Sequence, residues 1–214
     1  MDNKKKKALR RVLVIVLFFS FNFSMIGCKN IDNNREETII RDVVKDIQLY
    51  QSSDSSFLFD NDIIKLDSIA DGPYHKKVVQ LKITIYSISK QYAKGSQYVM
   101  SLKESDFDKT YQRSFYLHMF DGLNCMESQE IKANAHFKKA SEIIQKYLDN
   151  NVDKVALFEL ANIHKIYLKE KDINWIINKY NKSQNYDQDF INGLLSFDEN
   201  QEVIVNAKSE NIQE

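Results

Sequence analysis

The chain has 214 residues, and its 30 basic and 30 acidic side chains balance to a formal net charge of zero. Two cysteines cannot make a disulfide framework, and five glycines with one proline are too few turn-formers for a sheet of short strands. A body of about 170 residues must therefore stand chiefly on packing, which is enough chain for one adequate core.

The first element is an export signal. Lys4, Lys5, Lys6, Lys7, Arg10 and Arg11 make a basic flank, and Val12 to Phe23 follow as an apolar run with no charge. An apolar segment of about 7–15 residues behind a basic flank reads as a secretory signal, whereas a spanning helix needs about 20. The next residues, Ser24-Met25-Ile26-Gly27-Cys28, resemble the lipobox of bacterial lipoproteins, with Gly27 and Cys28 at the matching positions. Met25 stands where Leu is commoner, and Ile26 is larger than usual at its position. The resemblance covers residues 1–28 only. It implies cleavage after Gly27, a diacylglyceryl group on the Cys28 thiol, and a mature protein held to a membrane by lipid. Two or more acyl chains suffice for firm anchoring, so no spanning helix is needed. Lys29 replaces the Asp that favours inner-membrane retention in enterobacterial lipoproteins, which points to the outer membrane where a cell has two. With the signal removed, 24 basic residues face 29 acidic ones, a formal net of −5. That balance argues against nucleic acid as a partner.

Residues 28–34 form a polar tether, and 35–205 are expected as a single helical domain. Ile40, Val43, Val44 and Ile47 share one face of a helix over Arg35–Tyr50. After the serine-rich loop 51–56, a short helix over Asp60–Ala70 runs into Asp71-Gly72-Pro73. Tyr74–Lys94 fits two patterns: Val78, Leu81, Ile85, Ile88 and Tyr92 make a helical stripe, while Val79, Leu81, Ile83 and Ile85 alternate as in a strand. A strand would have only 202–205 as a partner, and a lone pair is weak, so helix is the expectation. A helix over Asp106–Phe120 follows, with Asp106 as N-cap, Phe107, Tyr111, Phe115 and Met119 in one stripe, and Asp121-Gly122 as its stop. Gln129–Leu148 carries Ala133, Phe137, Ala140, Ile144 and Tyr147 on one face. Asp153–Lys169 carries Leu157, Ala161, His164 and Leu168, and shorter helices cover Asp172–Tyr180, with Trp175 and Ile176, and Asp187–Phe197. Residues 206–214 are a polar tail. The fold class is all-α, an irregular bundle of antiparallel helical hairpins. The Ala133/Phe137/Ala140 spacing resembles the second helix of a tetratricopeptide repeat, but no second copy recurs, which sets a repeat array aside.

No catalytic motif emerges, and a non-enzymatic body without cofactor or metal is expected. His75, His118, His136 and His164 have no metal-ligand spacing, although His118 and His136 flank a turn and could meet. His164, on an apolar stripe, reads as a hydrogen-bonded core imidazole. Cys125 reads as a buried, inert thiol and Ser96 as a turn or cap serine. Asn185-x-Asp187-x-Asp189 opens like a calcium loop but has Phe190 where Gly is required, so Asp187 is better read as a helix cap. The feature that leans toward function is the run of tyrosines between 74 and 116. Of these, Tyr86, Tyr92, Tyr98, Tyr111 and Tyr116 are candidate contacts to a partner protein, since tyrosine offers area and a polar tip. The expected function is an envelope lipoprotein whose helical body binds another protein, in an assembly, immunity or surface-interaction role. The alternative is a small-ligand or lipid binder with an interhelical pocket.

Overall fold

A computed structural model describes residues 35–52, 59–69, 72–168, 173–184 and 186–195. The signal with Gly27 and Cys28, the tether, the tail and the strand candidate 202–205 lie outside the described residues. The fold is all-α, with no strand among the described residues. The described residues divide into two compact units, with the boundary between His136 and Phe137.

The first unit holds α1 (Arg35–Ser52), α2 (Asp60–Asp67), α3 (His75–Ile88), α4 (Tyr92–Ser101), a 3₁₀ turn (Glu104–Asp106), α5 (Gln112–Cys125) and the start of α6 (Glu130–Leu148). The ambiguous segment is α3, and both of its patterns are real because both of its sides are buried. Val78, Leu81, Ile85 and Ile88 join Ile40, Val43, Val44, Ile47 and Leu66 of α1 and α2 in one cluster. Val79 and Ile83 join Val99, Phe107 and Phe120 in another. Each aliphatic side chain so withdrawn from water contributes about 1.5–3 kcal/mol, far more than a helix of this length gains from propensity. Tyr50 closes the first cluster, its ring edge-on to Phe59 and its hydroxyl donating to the Ile88 carbonyl at 3.3 Å.

The stripe through Tyr92 suggested one helix to Lys94, but the chain breaks into α3 and α4. Lys90 sits in the left-handed region at φ 60°. Gln91 N–H donates to the Tyr86 carbonyl at 2.9 Å and Lys90 N–H to that of Ser87 at 3.2 Å, the two bonds of a Schellman cap. The expected start at Asp106 also moves. Asp106 accepts the Lys103 N–H at 2.8 Å and caps the 3₁₀ turn instead. Helix α5 begins six residues later, where the Gln112 side-chain oxygen accepts from the N–H groups of Asp108 and Lys109 at 3.1 and 3.0 Å. Nor does Asp121-Gly122 stop it. A mid-helix glycine costs only about 1 kcal/mol, and Phe120, Gly122 and Leu123 are all buried, so the helix runs on to Cys125.

In the second unit the α6 stripe (Phe137, Ala140, Ile144, Leu148) is fully buried. Asp153 caps α7 (Lys154–Asn162), its carboxylate accepting from the N–H groups of Val155 and Ala156 at 3.0 and 3.2 Å. A π-helical stretch over Ile163–Leu168 continues it. Here His164 is buried, its Nε2 at 2.8 Å from the Ser141 hydroxyl, as a core imidazole should be. Helix α8 is Ile173–Gln184, and a last helix, α9, covers 188–195. Asp187 accepts the Phe190 N–H at 2.8 Å and pairs with the Lys154 ammonium, so it serves as a cap with a counter-ion. Its pKa is held down first by that lysine and then by the Phe190 N–H.

Candidate functional site

The tyrosine-rich interval folds into α3, α4 and α5, which share the Val79/Ile83/Val99/Phe107/Phe120 cluster. Tyr86, Tyr92, Tyr98 and Tyr116 all pack half-buried against that cluster. Tyr111 differs. It is 4 % exposed with its ring against Phe115 at 6.0 Å, so it belongs to the core and offers no surface to a partner. The physical reason was in the stripe: Tyr111 stands four residues from both Phe107 and Phe115.

Two pairs give the face its form. The rings of Tyr86 and Tyr98 lie 5.7 Å apart at 54°, and Tyr116 stacks on Phe107 at 6.3 Å while touching Phe115 at 5.0 Å. The Lys82 ammonium, paired with Asp67, lies 5.2 Å above the Tyr98 ring. Burial, then the neighbouring Tyr86 and Asp67, push the Tyr98 phenol far up, and burial does the same more mildly for Tyr86. Both phenols stay neutral at any physiological pH, able to donate and accept hydrogen bonds but not to act as bases. Such a face suits recognition better than proton transfer.

The 103–108 loop beside these helices is fixed to α3. His75 Nε2 lies 3.3 Å from Asp106, Gln80 donates to Asp108 at 2.7 Å, and Lys76 is 3.7 Å from the same carboxylate. The Asp106 carboxyl is held below its ordinary range, first by the Lys103 N–H and then by His75.

A second constellation sits at the far end of α5. Gly95 in α4 has no side chain to hold off Phe120, and a Cβ there would stand 2.5 Å from the ring. That close approach brings the hydroxyl of Ser96 to 2.7 Å from Asp121 Oδ1, so Ser96 lies buried inside α4 rather than in a turn. The other oxygen, Asp121 Oδ2, lies 4.0 Å from His136 Nδ1, and the Nδ1 atoms of His118 and His136 are 3.3 Å apart. The expected meeting of His118 and His136 across the α5–α6 turn thus occurs, and Asp121 joins it. The carboxylate was missed because Asp121-Gly122 read as a helix stop. With the helix continued, Asp121 falls three residues from His118 on one face. Cys125, expected as buried, is a half-buried free thiol at the end of the same helix.

Compared with known proteins, the chain matches no family model, no curated protein and no solved structure, so the class is drawn from its own residues. No helix among the described residues is long and apolar enough to cross a membrane.

Proposed function

We propose that the protein is an exported lipoprotein, cleaved after Gly27 and anchored through lipid on Cys28, whose helical body binds another protein. The envelope is its location, and the outer membrane where the cell has two. The observation that carries the binding reading is the tyrosine face of α3, α4 and α5. Four half-buried rings pack against one apolar cluster, and burial raises the phenol pKa of two of them, Tyr86 and Tyr98. Rigid aromatic side chains with polar tips lose little entropy on docking and are favoured at interfaces. A binding role rather than a catalytic one agrees with this chemistry, since the face presents no activated nucleophile or base.

The test is crosslinking in cells followed by co-purification from solubilised membranes, with wild type beside Tyr86→Ala/Tyr98→Ala and Tyr116→Ala. A partner recovered with wild type should be lost or weakened about thirtyfold in the tyrosine variants, as expected where an anchor contributes about 2 kcal/mol. Helical content and thermal midpoint must match wild type, since all three residues also touch the core. Undiminished recovery with folded variants would sink the tyrosine face. A small apolar ligand extracted from the purified protein, with no protein partner, would replace the reading with that of a ligand carrier. Cys28→Ala addresses the anchor separately: it should abolish incorporation of a fatty-acid analogue, and equal labelling would defeat that part.

A further inference from the structure

We propose that His118, Asp121 and His136 form a site for a divalent transition-metal ion of the zinc type. The donor set is two imidazoles and a carboxylate, the mixture borderline ions prefer and calcium or magnesium do not. All three offered ligand atoms lie within 4.8 Å of one another, and all three residues are half-buried. The spacing is informative. Ligands about 2.0–2.1 Å from a zinc ion at tetrahedral angles stand roughly 3.3 Å apart. The two imidazole Nδ1 atoms are 3.3 Å apart, already along one edge of such a tetrahedron. Asp121 Oδ2 at 4.0 Å from His136 Nδ1 needs only a small swing of the carboxylate to complete a face.

The support around the ligands points the same way. Asp121 Oδ1 accepts the Ser96 hydroxyl at 2.7 Å, which fixes the carboxylate plane and leaves Oδ2 for the ion. His118 and Asp121 are three residues apart on α5, a spacing that places two ligands on one helical face. With an ion, three donors converge and a fourth position is left to water. Such an ion would clip the last turns of α5 to the first turns of α6. This site is independent of the tyrosine face.

The experiment uses the full chain, stripped with a chelator, then titrated with Zn²⁺ by calorimetry and with Co²⁺ by visible absorption. One Zn²⁺ per chain is expected, with the intense ligand-field bands of four-coordinate Co²⁺. His118→Gln and His136→Gln should each weaken binding by at least about 100-fold, beyond the cost of losing one supporting hydrogen bond. Ser96→Ala should weaken it about tenfold through the freed carboxylate. His75→Gln, at the other histidine–carboxylate pair, should leave it unchanged. A second readout needs no variant: Zn²⁺ should shield His118 and His136, but not His75, from an imidazole-acylating reagent followed by mass spectrometry. Absence of Zn²⁺ binding, affinity unchanged in the two histidine variants, or equal acylation of all three histidines with and without Zn²⁺ overturns the proposal.

Discussion

Gly95→Ala should destabilise the protein, and the size of the loss can be worked from the helix pair it sits in. In an exposed helix the same change would be worth about 1 kcal/mol in the other direction, because Ala has the better propensity. At Gly95, however, a Cβ would lie 2.5, 2.6 and 2.8 Å from Cε1, Cζ and Cδ1 of Phe120. Comfortable carbon contacts start near 3.5 Å, so the ring must retreat by about 1 Å. It has no free direction, being 2 % exposed and enclosed by Val79, Ile83, Val99 and Phe107. Overpacking of this kind costs about 1–3 kcal/mol, and subtracting the propensity gain of about 1 kcal/mol leaves a net loss of up to about 2 kcal/mol. The assay is urea unfolding followed by far-ultraviolet circular dichroism, with Gly193→Ala as the control. Gly193 is exposed in α9 with nothing within 4 Å of its would-be Cβ, so there the change should stabilise by about 0.5–1 kcal/mol. Phe120→Leu in the Gly95→Ala background should recover part of the loss, giving a coupling of about 1 kcal/mol in a double-mutant cycle. A Gly95→Ala protein as stable as wild type, or zero coupling with Phe120, would refute the close-packing argument.

Three further outcomes follow from the caps and one ion pair. Lys90→Gly should stabilise by about 1 kcal/mol in the same urea assay, because glycine occupies the left-handed position without the Cβ penalty. Lys94→Gly, exposed within α4, should instead cost about 1 kcal/mol. Asp153→Ala should cost about 1–2 kcal/mol through the two N–H groups it leaves uncapped at the start of α7, whereas Asp153→Asn should cost less. The Asp106 carboxyl is depressed on folding, so its stabilisation is present above the ordinary carboxylate range and is lost as pH falls through and below about 4. Asp106→Asn should therefore be less stable than wild type at pH 7, and the gap should close on acidification; a pH-independent gap would show that the charge is not the cause.

Most of the helices were legible in the sequence because their stripes are deep. Phe137/Ala140/Ile144 and Leu157/Ala161/His164 are buried as their spacing implies, while Tyr147 and Leu168 at the ends of those stripes are half-buried and Trp175 is exposed; the capping role of Asp187 holds. The failures came where a local signal was outvoted by packing or carried by an unusual residue. Nothing in Ser89-Lys90-Gln91 advertises a helix end, since lysine rather than glycine takes the left-handed position. Asp121-Gly122 advertised an end that does not occur, because Phe120 and Leu123 are both wanted in the core. That second misreading hid the carboxylate between two histidines whose approach was foreseen. Among the tyrosines, composition alone could not sort Tyr111 from its neighbours, but its place in the Phe107/Phe115 stripe could have done so.

Helix α3 has almost no solvent side of its own, and this bears on how the first unit assembles. Val78, Leu81, Ile85 and Ile88 serve one cluster while Val79 and Ile83 serve the other, so neither cluster can close before α3 is helical. Its partners lie on either side of it in the chain, α1 and α2 before and α4 and α5 after. Both halves can therefore condense onto it through short loops, a low-contact-order route that favours rapid folding. Conservative truncations on α3, such as Ile83→Val or Ile85→Val, should slow folding more than they speed unfolding. Comparable truncations at the rim of either cluster should do the reverse. The residues that made this segment hardest to read as helix or strand are thus the ones on which the kinetics of the unit turn.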